Sequence, residues 1–447
     1  MTGFERYQQL VSRSALDNLL NGKSAFSREG QLNAWVVIWL MIFQRLHAKG
    51  TLAVAVRELL TGPVRAFVDR PETLSANTSA YSQGRSKLPL QVAIKVNEWI
   101  FQSLHQQSTL LPDLNYSLFL LDGTVILLAN TPELVATYSP PRNQHGASHW
   151  PAIRVMVAHD AVSGLAMPPA WGPINGPKAV SEQGLSKGLV STAPAGCAFL
   201  GDRNLGVFSM AFHCTDHQHG CLFRLTQPRA KKLNGGVIAP VSGTDRKIRW
   251  TPSLWDLSNN QEIPADAYVD GRLVVVKVRD ARGKFQKLYF FTTLNLTPEQ
   301  IQKVYGYRWR IETDLRSLKH EVRLDMIKAK SVEMVGKELV LGIAAYNLTR
   351  ATMQQAAVAL QLEPRQLSYA MAQDTINAFL PVFAHATGDA ERQALRDQML
   401  QVFAHSVLPR RRKRRSAPRA IWPRPCPYPK RKVATKKSKI RQCKKVA

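Results

Sequence analysis

Three carboxylates in this chain sit where chemistry on phosphate would need them. Asp122 follows the apolar run 117–121 in LLDGT, Asp202 follows the apolar run 197–200 in FLGDRNLG, and Glu312 lies within YGYRWRIETDLRSLK. Three converging carboxylates offer only hard oxygen donors, which suit Mg²⁺ or Mn²⁺. A pair of such ions activates water or a hydroxyl and stabilises the leaving oxygen in phosphoryl transfer. Around Glu312 the residues Tyr305, Arg308 and Lys319 add a phenol, a guanidinium and an ammonium, groups that grip phosphate oxygens. Taken singly, each has a plainer reading. Asp-Gly is a turn signal, Asp202 stands where it would cap a helix, and Arg308, Glu312 and Arg316 have the spacing of surface ion pairs.

The elements that must position these groups follow from periodicity. Between Pro298 and Lys328 the apolar residues Ile301, Val304, Trp309, Ile311, Leu315 and Leu318 recur at helical intervals. On one helix, Tyr305, Arg308, Glu312 and Lys319 fall within an arc of about 60°. Residues 117–121 and 197–200 read as buried strands, 152–159 with 163–171 as a hairpin, and 221–225 as a further strand. Helices are expected at 179–189 and 205–213. Strand ends of one sheet would therefore carry Asp122 and Asp202 towards a helix carrying Glu312.

These blocks resemble a known family. The order Asp, Asp, Glu, with Tyr-x2-Arg-x3-Glu-x6-Lys around the last acid, is similar to bacterial insertion-sequence transposases of the DDE class that carry the YREK signature, insertion-sequence family four. The resemblance spans roughly residues 75–350. It implies an α/β fold with an RNase H-like catalytic core, a β-rich insertion and flanking helical regions. It also implies two Mg²⁺ ions, with Mn²⁺ as a substitute, held by Asp122, Asp202 and Glu312, and DNA or phosphate binding by Tyr305, Arg308 and Lys319. The implied activity is cut-and-paste transposition on double-stranded DNA, at terminal inverted repeats and at target DNA, with a homodimer in the synaptic complex. In relatives that use a hairpin, water attacks first, the freed 3′-hydroxyl attacks the opposite strand, water opens the hairpin, and the 3′-end joins the target. An aromatic platform would then hold an unstacked base. Trp250, Trp255 and Tyr289 are the candidates, and simple packing explains them equally well. Asn204 stands where many relatives place Gly.

On this reading the chain divides into a helical DNA-end-binding region at 1–110, the first part of the core at 111–234, a β-rich insertion at 235–293, the Glu-bearing helix at 294–330, a helical region at 331–405 and a basic, disordered tail at 406–447. In the first region 35–46 and 91–104 are the clearest helices. The polar stretch 75–89, with Arg85 and Lys87, is either a loop and helix start or a DNA-contacting turn. Residues 335–360 read as a long buried helix.

Charge supports a polyanionic partner. The chain of 447 residues carries a net charge of +28. Residues 410–447 hold 17 Lys or Arg and no acid, and the rest still carries +11. A body that is basic apart from its tail points to nucleic acid. No secretory signal is recognisable, and the longest apolar run, 34–43, is too short to span a bilayer. A cytoplasmic, nucleoid-associated bacterial protein with no membrane partner is expected, and five unevenly spaced cysteines fit reduced thiols. The segment HCTDHQHGC, 213–221, crowds its potential ligands too closely for a zinc site and reads as a surface turn. A metal-dependent endonuclease and a catalytically decayed DNA-binding protein are the alternatives.

Overall fold

Strands that are apolar on both faces require a cover of helices on each side, and the sequence supplies one. The computed structural model describes residues 3–20, 32–47, 50–111, 114–143, 146–236, 239–279 and 285–408. Almost all of the basic tail, with Cys426 and Cys443, lies outside the described residues.

The chain opens with helices α1 (Gly3–Leu10), α2 (Arg13–Leu20), α3 (Ala34–Leu46), α4 (Leu52–Thr61), α5 (Ser79–Lys87) and α6 (Leu90–His105). Helix α3 is buried nearly all round, as its unbroken apolar sequence requires. Strand β1 (Leu118–Leu127) follows, then α7 (Pro132–Thr137) and a short ribbon of β2 (Arg142–Asn143) and β3 (Gly146–Ala147). Next come β4 (Ala152–Asp160), β5 (Ala170–Pro173), α8 (Glu182–Ser191), β6 (Ala198–Gly201), α9 (Phe208–Asp216), β7 (Gly220–Leu225) and α10 (Gln227–Leu233). The stretch 245–292 holds β8 (Asp245–Trp250), α11 (Leu254–Asn259), β9 (Val269–Arg279) and β10 (Phe285–Thr292). Helices α12 (Pro298–Gly306), α13 (Arg308–His320), α14 (Val332–Ala359), α15 (Tyr369–His385) and α16 (Asp389–Ala404) complete it.

One eight-stranded sheet runs β5–β4–β1–β6–β7–β10–β9–β8. Strands β5, β4 and β1 are antiparallel, β6 and β7 run parallel to β1, and the last three strands are antiparallel again. The β-rich stretch thus extends this same sheet through the β10–β7 pairing. Alternate residues of β1 feed two cores. Phe119 and Leu121 face the side shared with α3, α6, α8 and α9, whereas Leu118, Leu120 and Ile126 face the side under α12 and α13. Helix α14 contributes to both, with Val340 and Ala344 on one side and Leu339 and Ile343 on the other.

Buried charges tie these layers together. Glu338 of α14 accepts from Arg45 of α3 and Arg85 of α5. Arg85 is therefore a structural cation and not an exposed DNA contact. Asp314 of α13 is fully buried between Arg350 of α14 and Arg365.

Four local expectations change. Asp122 does not end its strand, because β1 continues its ladder with β4 to Leu127, and Gly123 within it lies flat against Met156. The helix expected across Tyr305–Lys319 is two helices. At Tyr307 the backbone closes shorter bonds, from Tyr307 N to Val304 O (3.0 Å) and Arg310 N to Tyr307 O (2.8 Å). Trp309 is 59% exposed, because it sits about 200° around the helix from buried Ile311. The segment 213–221 is also more than a surface turn. It ends α9 and starts β7, with Cys214, His219 and Cys221 buried.

Candidate active site

Strand register builds the site. The last β1–β6 pair is Leu120 with Leu200, so two residues further along Asp122 stands beside Asp202. The last β6–β7 pair is Gly201 with Phe223, so the next position sets Asp202 beside Arg224. Arg224 pairs in turn with Phe290 of β10, and Asp122 with Val157 of β4. One row across the sheet therefore reads Val157, Asp122, Asp202, Arg224, Phe290, with neighbours about 4.8 Å apart. Alternation turns this row to the face that also carries Leu120, Leu200 and Leu222, the face covered by α12 and α13.

The two aspartates feel each other. Burial pushes the Asp122 carboxyl above the ordinary range, the Gly123 N–H (2.8 Å) opposes this, and the Asp202 carboxylate raises it further. The Arg308 guanidinium pulls the other way. Asp202 does not cap a helix. Its Oδ1 accepts from Asn204 N (2.8 Å), bracing the turn after β6, while α9 starts only at Phe208. Asn204 adopts no left-handed backbone, so this turn has no need of Gly there.

The helix pair supplies the lid of the row. Tyr305 packs the edge of its ring on Phe290, with centroids 4.7 Å apart. Its hydroxyl is buried beside the Arg224 guanidinium, yet no hydrogen bond of ordinary geometry closes between them. Burial raises the Tyr305 pKa, and Arg224 and Arg308 work against that rise. Arg308 donates to Glu312 Oε1 at 3.0 Å, one turn on, with the Glu312 side chain 44% exposed. That pair is worth a few tenths of a kcal/mol. Lys319 is half-buried in the last turn of α13.

The structure thus brings Asp122, Asp202, Tyr305 and Arg308 within reach of one another's charge, and sets Glu312 one helical turn from Arg308. Among the described residues no three His, Cys, Asp or Glu side chains stand close enough together to hold a metal ion. Asp122 and Asp202 are the neighbouring pair, and Glu312 is turned to Arg308. The donor set still fits a hard cation. Two carboxylates forced together raise each other's affinity for positive charge, and a third is restrained only by a weak exposed ion pair.

Two residues of this neighbourhood escaped sequence reasoning. Arg224 looked like one polar position in an ordinary strand, although a guanidinium inside CLFRL was the signal. Glu182, at the start of α8, accepts from Asn204 Nδ2 and raises Asp122 through its charge; nothing in its sequence context pointed to the site.

Of the three aromatics considered for base stacking, Trp250 packs against Phe291 and Phe208 in the core, and Tyr289 is buried. Trp255 is 62% exposed at the rim of a 580 Å³ cavity that Arg229, Lys232, Arg246 and Arg249 also line. Cys197, Cys214 and Cys221 are free, buried thiols. Burial raises all three, to about 12 for Cys197 and Cys221, which leaves them unreactive. Among the described residues no helix is long and apolar enough to cross a membrane.

The family model described as a transposase DDE domain matches residues 114–348, more than half of the chain, from just before β1 to the middle of α14. No curated protein matches the chain.

Proposed function

This chain belongs to the transposase DDE domain family, and on that premise we propose that it cuts and joins DNA strands at the row formed by Asp122, Asp202 and Arg224. The observation that carries the proposal is the parallel register that sets Asp122 and Asp202 side by side beneath α13. The order β5–β4–β1–β6–β7, three antiparallel strands followed by two parallel ones, supports an RNase H-like core. Tyr305, Arg308, Glu312 and Lys319 fit the YREK signature of insertion-sequence family four.

Asp122, Asp202 and Glu312 would hold one or two divalent cations, Mg²⁺ or Mn²⁺, which supply a nucleophilic oxygen at neutral pH and charge stabilisation at the leaving oxygen. Each protein group then has a distinct task. Asp122 and Asp202 present adjacent carboxylate oxygens on rigid strands. Glu312 turns from Arg308, at a cost of a few tenths of a kcal/mol, and so frees the guanidinium for a phosphate oxygen. The buried Tyr305 hydroxyl lacks a hydrogen-bond partner, which costs about 1–3 kcal/mol, and a phosphate oxygen between it and Arg224 would satisfy it. Lys319 grips the strand further along α13. In a hairpin route Trp255 is the exposed aromatic on which an unstacked base would rest. The partners are terminal inverted repeats and target DNA, and cutting two ends together calls for a homodimer.

The test incubates the protein with labelled element ends, a target plasmid and Mg²⁺. Joined products from wild type and none from Asp122→Asn support cut-and-paste transposition. Cleavage without joining would make the protein an endonuclease, and binding without cleavage in both would make it a DNA-binding module.

A further inference from the structure

A large cleft lies away from the aspartate row, at the far end of α13. It encloses about 810 Å³ between the N-terminal helices and the segment that follows α13. Five cationic side chains line it against two carboxylates. Both carboxylates are already occupied. Glu338 is held by Arg45 and Arg85, and Glu133 accepts from the Val332 N–H at 2.8 Å. Arg323, Lys328 and Lys330 have no ion-pair or hydrogen-bond partner for their side chains among the described residues, and Lys328 and Lys330 are exposed. The opposite wall is α5, whose exposed Ser82 offers a hydroxyl donor, while the Ser86 hydroxyl one turn on donates to the Ser82 carbonyl at 3.1 Å.

Arg323 is also held in a left-handed conformation, φ 61° and ψ 39°. A non-glycine residue there costs on the order of 1–2 kcal/mol. Its carbonyl is fixed by Arg45 Nη1 at 3.3 Å. The backbone is thus strained at a position that carries a guanidinium into the cleft.

We infer that this cleft binds the sugar–phosphate backbone of duplex DNA, as a second contact on the same DNA that the aspartate row processes. The inference rests on the reading of the chain as a DNA-processing enzyme. Three cations without protein partners among the described residues, facing the Ser82 hydroxyl, match a run of phosphodiesters and have no use as a structural network. Position agrees with charge. From Glu312 to the end of α13 at His320 the helix rises about 12 Å. At about 3.4 Å per base pair, a duplex running along α13 from the row would meet the cleft roughly four base pairs from the reacting phosphate. The contact would set register and leave sequence unread, and it gives the polar stretch around α5 a role through Ser82, with Arg85 as its structural support.

The experiment measures binding of the full chain to a labelled duplex of about 30 base pairs by fluorescence anisotropy, across about 50–200 mM salt. Wild type is compared with Lys328→Ala, Lys330→Ala, Arg323→Gly and the triple variant. Removing one phosphate-binding cation flattens the slope of log affinity against log salt by about 0.9, so the triple variant should show a slope flatter by about 2.7. Arg323→Gly separates charge from folding, because glycine accepts the left-handed backbone, so its melting temperature should stay level or rise while its slope falls. The two lysines are exposed, so their variants should fold normally. Slopes equal to wild type in all four variants would overturn the cleft and leave Asp122-dependent cleavage untouched. A flattened slope with Asp122→Asn inactive upholds both readings, and a flattened slope with Asp122→Asn fully active upholds the cleft alone.

Discussion

Asp314→Ala should be among the most damaging single substitutions in this protein, although the proposed chemistry gives Asp314 no contact with DNA or metal. The carboxylate is fully buried on α13, two residues beyond Glu312. Its Oδ1 accepts from Arg350 Nη2 at 2.6 Å, Arg365 Nη1 at 2.9 Å and the Tyr346 hydroxyl at 3.2 Å. His159 lies 3.8 Å from Oδ2, and burial pushes its pKa down to about 4 and keeps it neutral. Burial alone would raise the Asp314 carboxyl, but the two guanidinium charges outweigh that and hold it below the usual carboxylate range. Removing the carboxylate leaves two guanidinium groups facing each other without an anion, a situation that costs about 3–5 kcal/mol. Asp314→Asn keeps the shape and one acceptor while losing the charge, so its cost should fall between wild type and alanine. The sign with pH follows from the depressed pKa. The stabilisation is present above the unfolded value and is lost as pH falls below it, so the gap between wild type and Asp314→Asn should close in acid. Urea unfolding at neutral and acid pH reads both effects through the midpoint and slope. A cost below about 1 kcal/mol for Asp314→Ala, or a gap that does not shrink in acid, would refute the reasoning.

Two further perturbations follow from the same geometry. Burial pushes the Glu58 carboxyl up to about 7, against a hydrogen bond from Trp39 Nε1 at 3.3 Å. The folded state therefore holds its proton where the unfolded chain releases it, and stability falls as pH rises from about 4.5 to about 7, by up to about 3 kcal/mol. Glu58→Gln should stabilise the protein at pH 8 and do nothing at pH 4, and an equal effect at both would count against a buried, protonated Glu58. Gly206 closes the turn after Asp202, and a Cβ there would stand 2.1 Å from the Arg224 carbonyl oxygen. Gly206→Ala should cost more than about 2 kcal/mol in thermal unfolding and reduce DNA cleavage, since it must move Asp202 or Arg224; unchanged stability would show that the turn has room.

Some of this was legible in the sequence because period-two and helical patterns are local. The strands before Asp122 and Asp202, the strand from residue 152 and the helices α3, α6 and α14 follow from apolar spacing alone, whereas the return strand expected at 163–171 is the short β5 at Ala170–Pro173. The aspartate row did not follow, because register is a relation between strands, and Arg224 acquires its place only when β7 is laid beside β6. Asp314 shows the same limit. A carboxylate among Ile311, Leu315 and Leu318 is a visible irregularity, but its partners lie 36 and 51 residues away. Trp309 was misplaced for a different reason. A tryptophan counts as apolar in any periodicity, yet two residues from a buried position on a helix is the opposite face, where it carries the Arg308 guanidinium 4.7 Å from its ring centroid.

If Asp122 and Asp202, joined by Glu312, form the cation site of this transposase, metal binding must depend on all three carboxylates. Titrating the full chain with Mn²⁺ and counting bound ions by electron paramagnetic resonance tests this without relying on turnover. Wild type should bind more Mn²⁺ than Asp122→Asn or Asp202→Asn, with Glu312→Gln lying between them. Equal binding by all four proteins, each shown to be folded, would contradict the assignment.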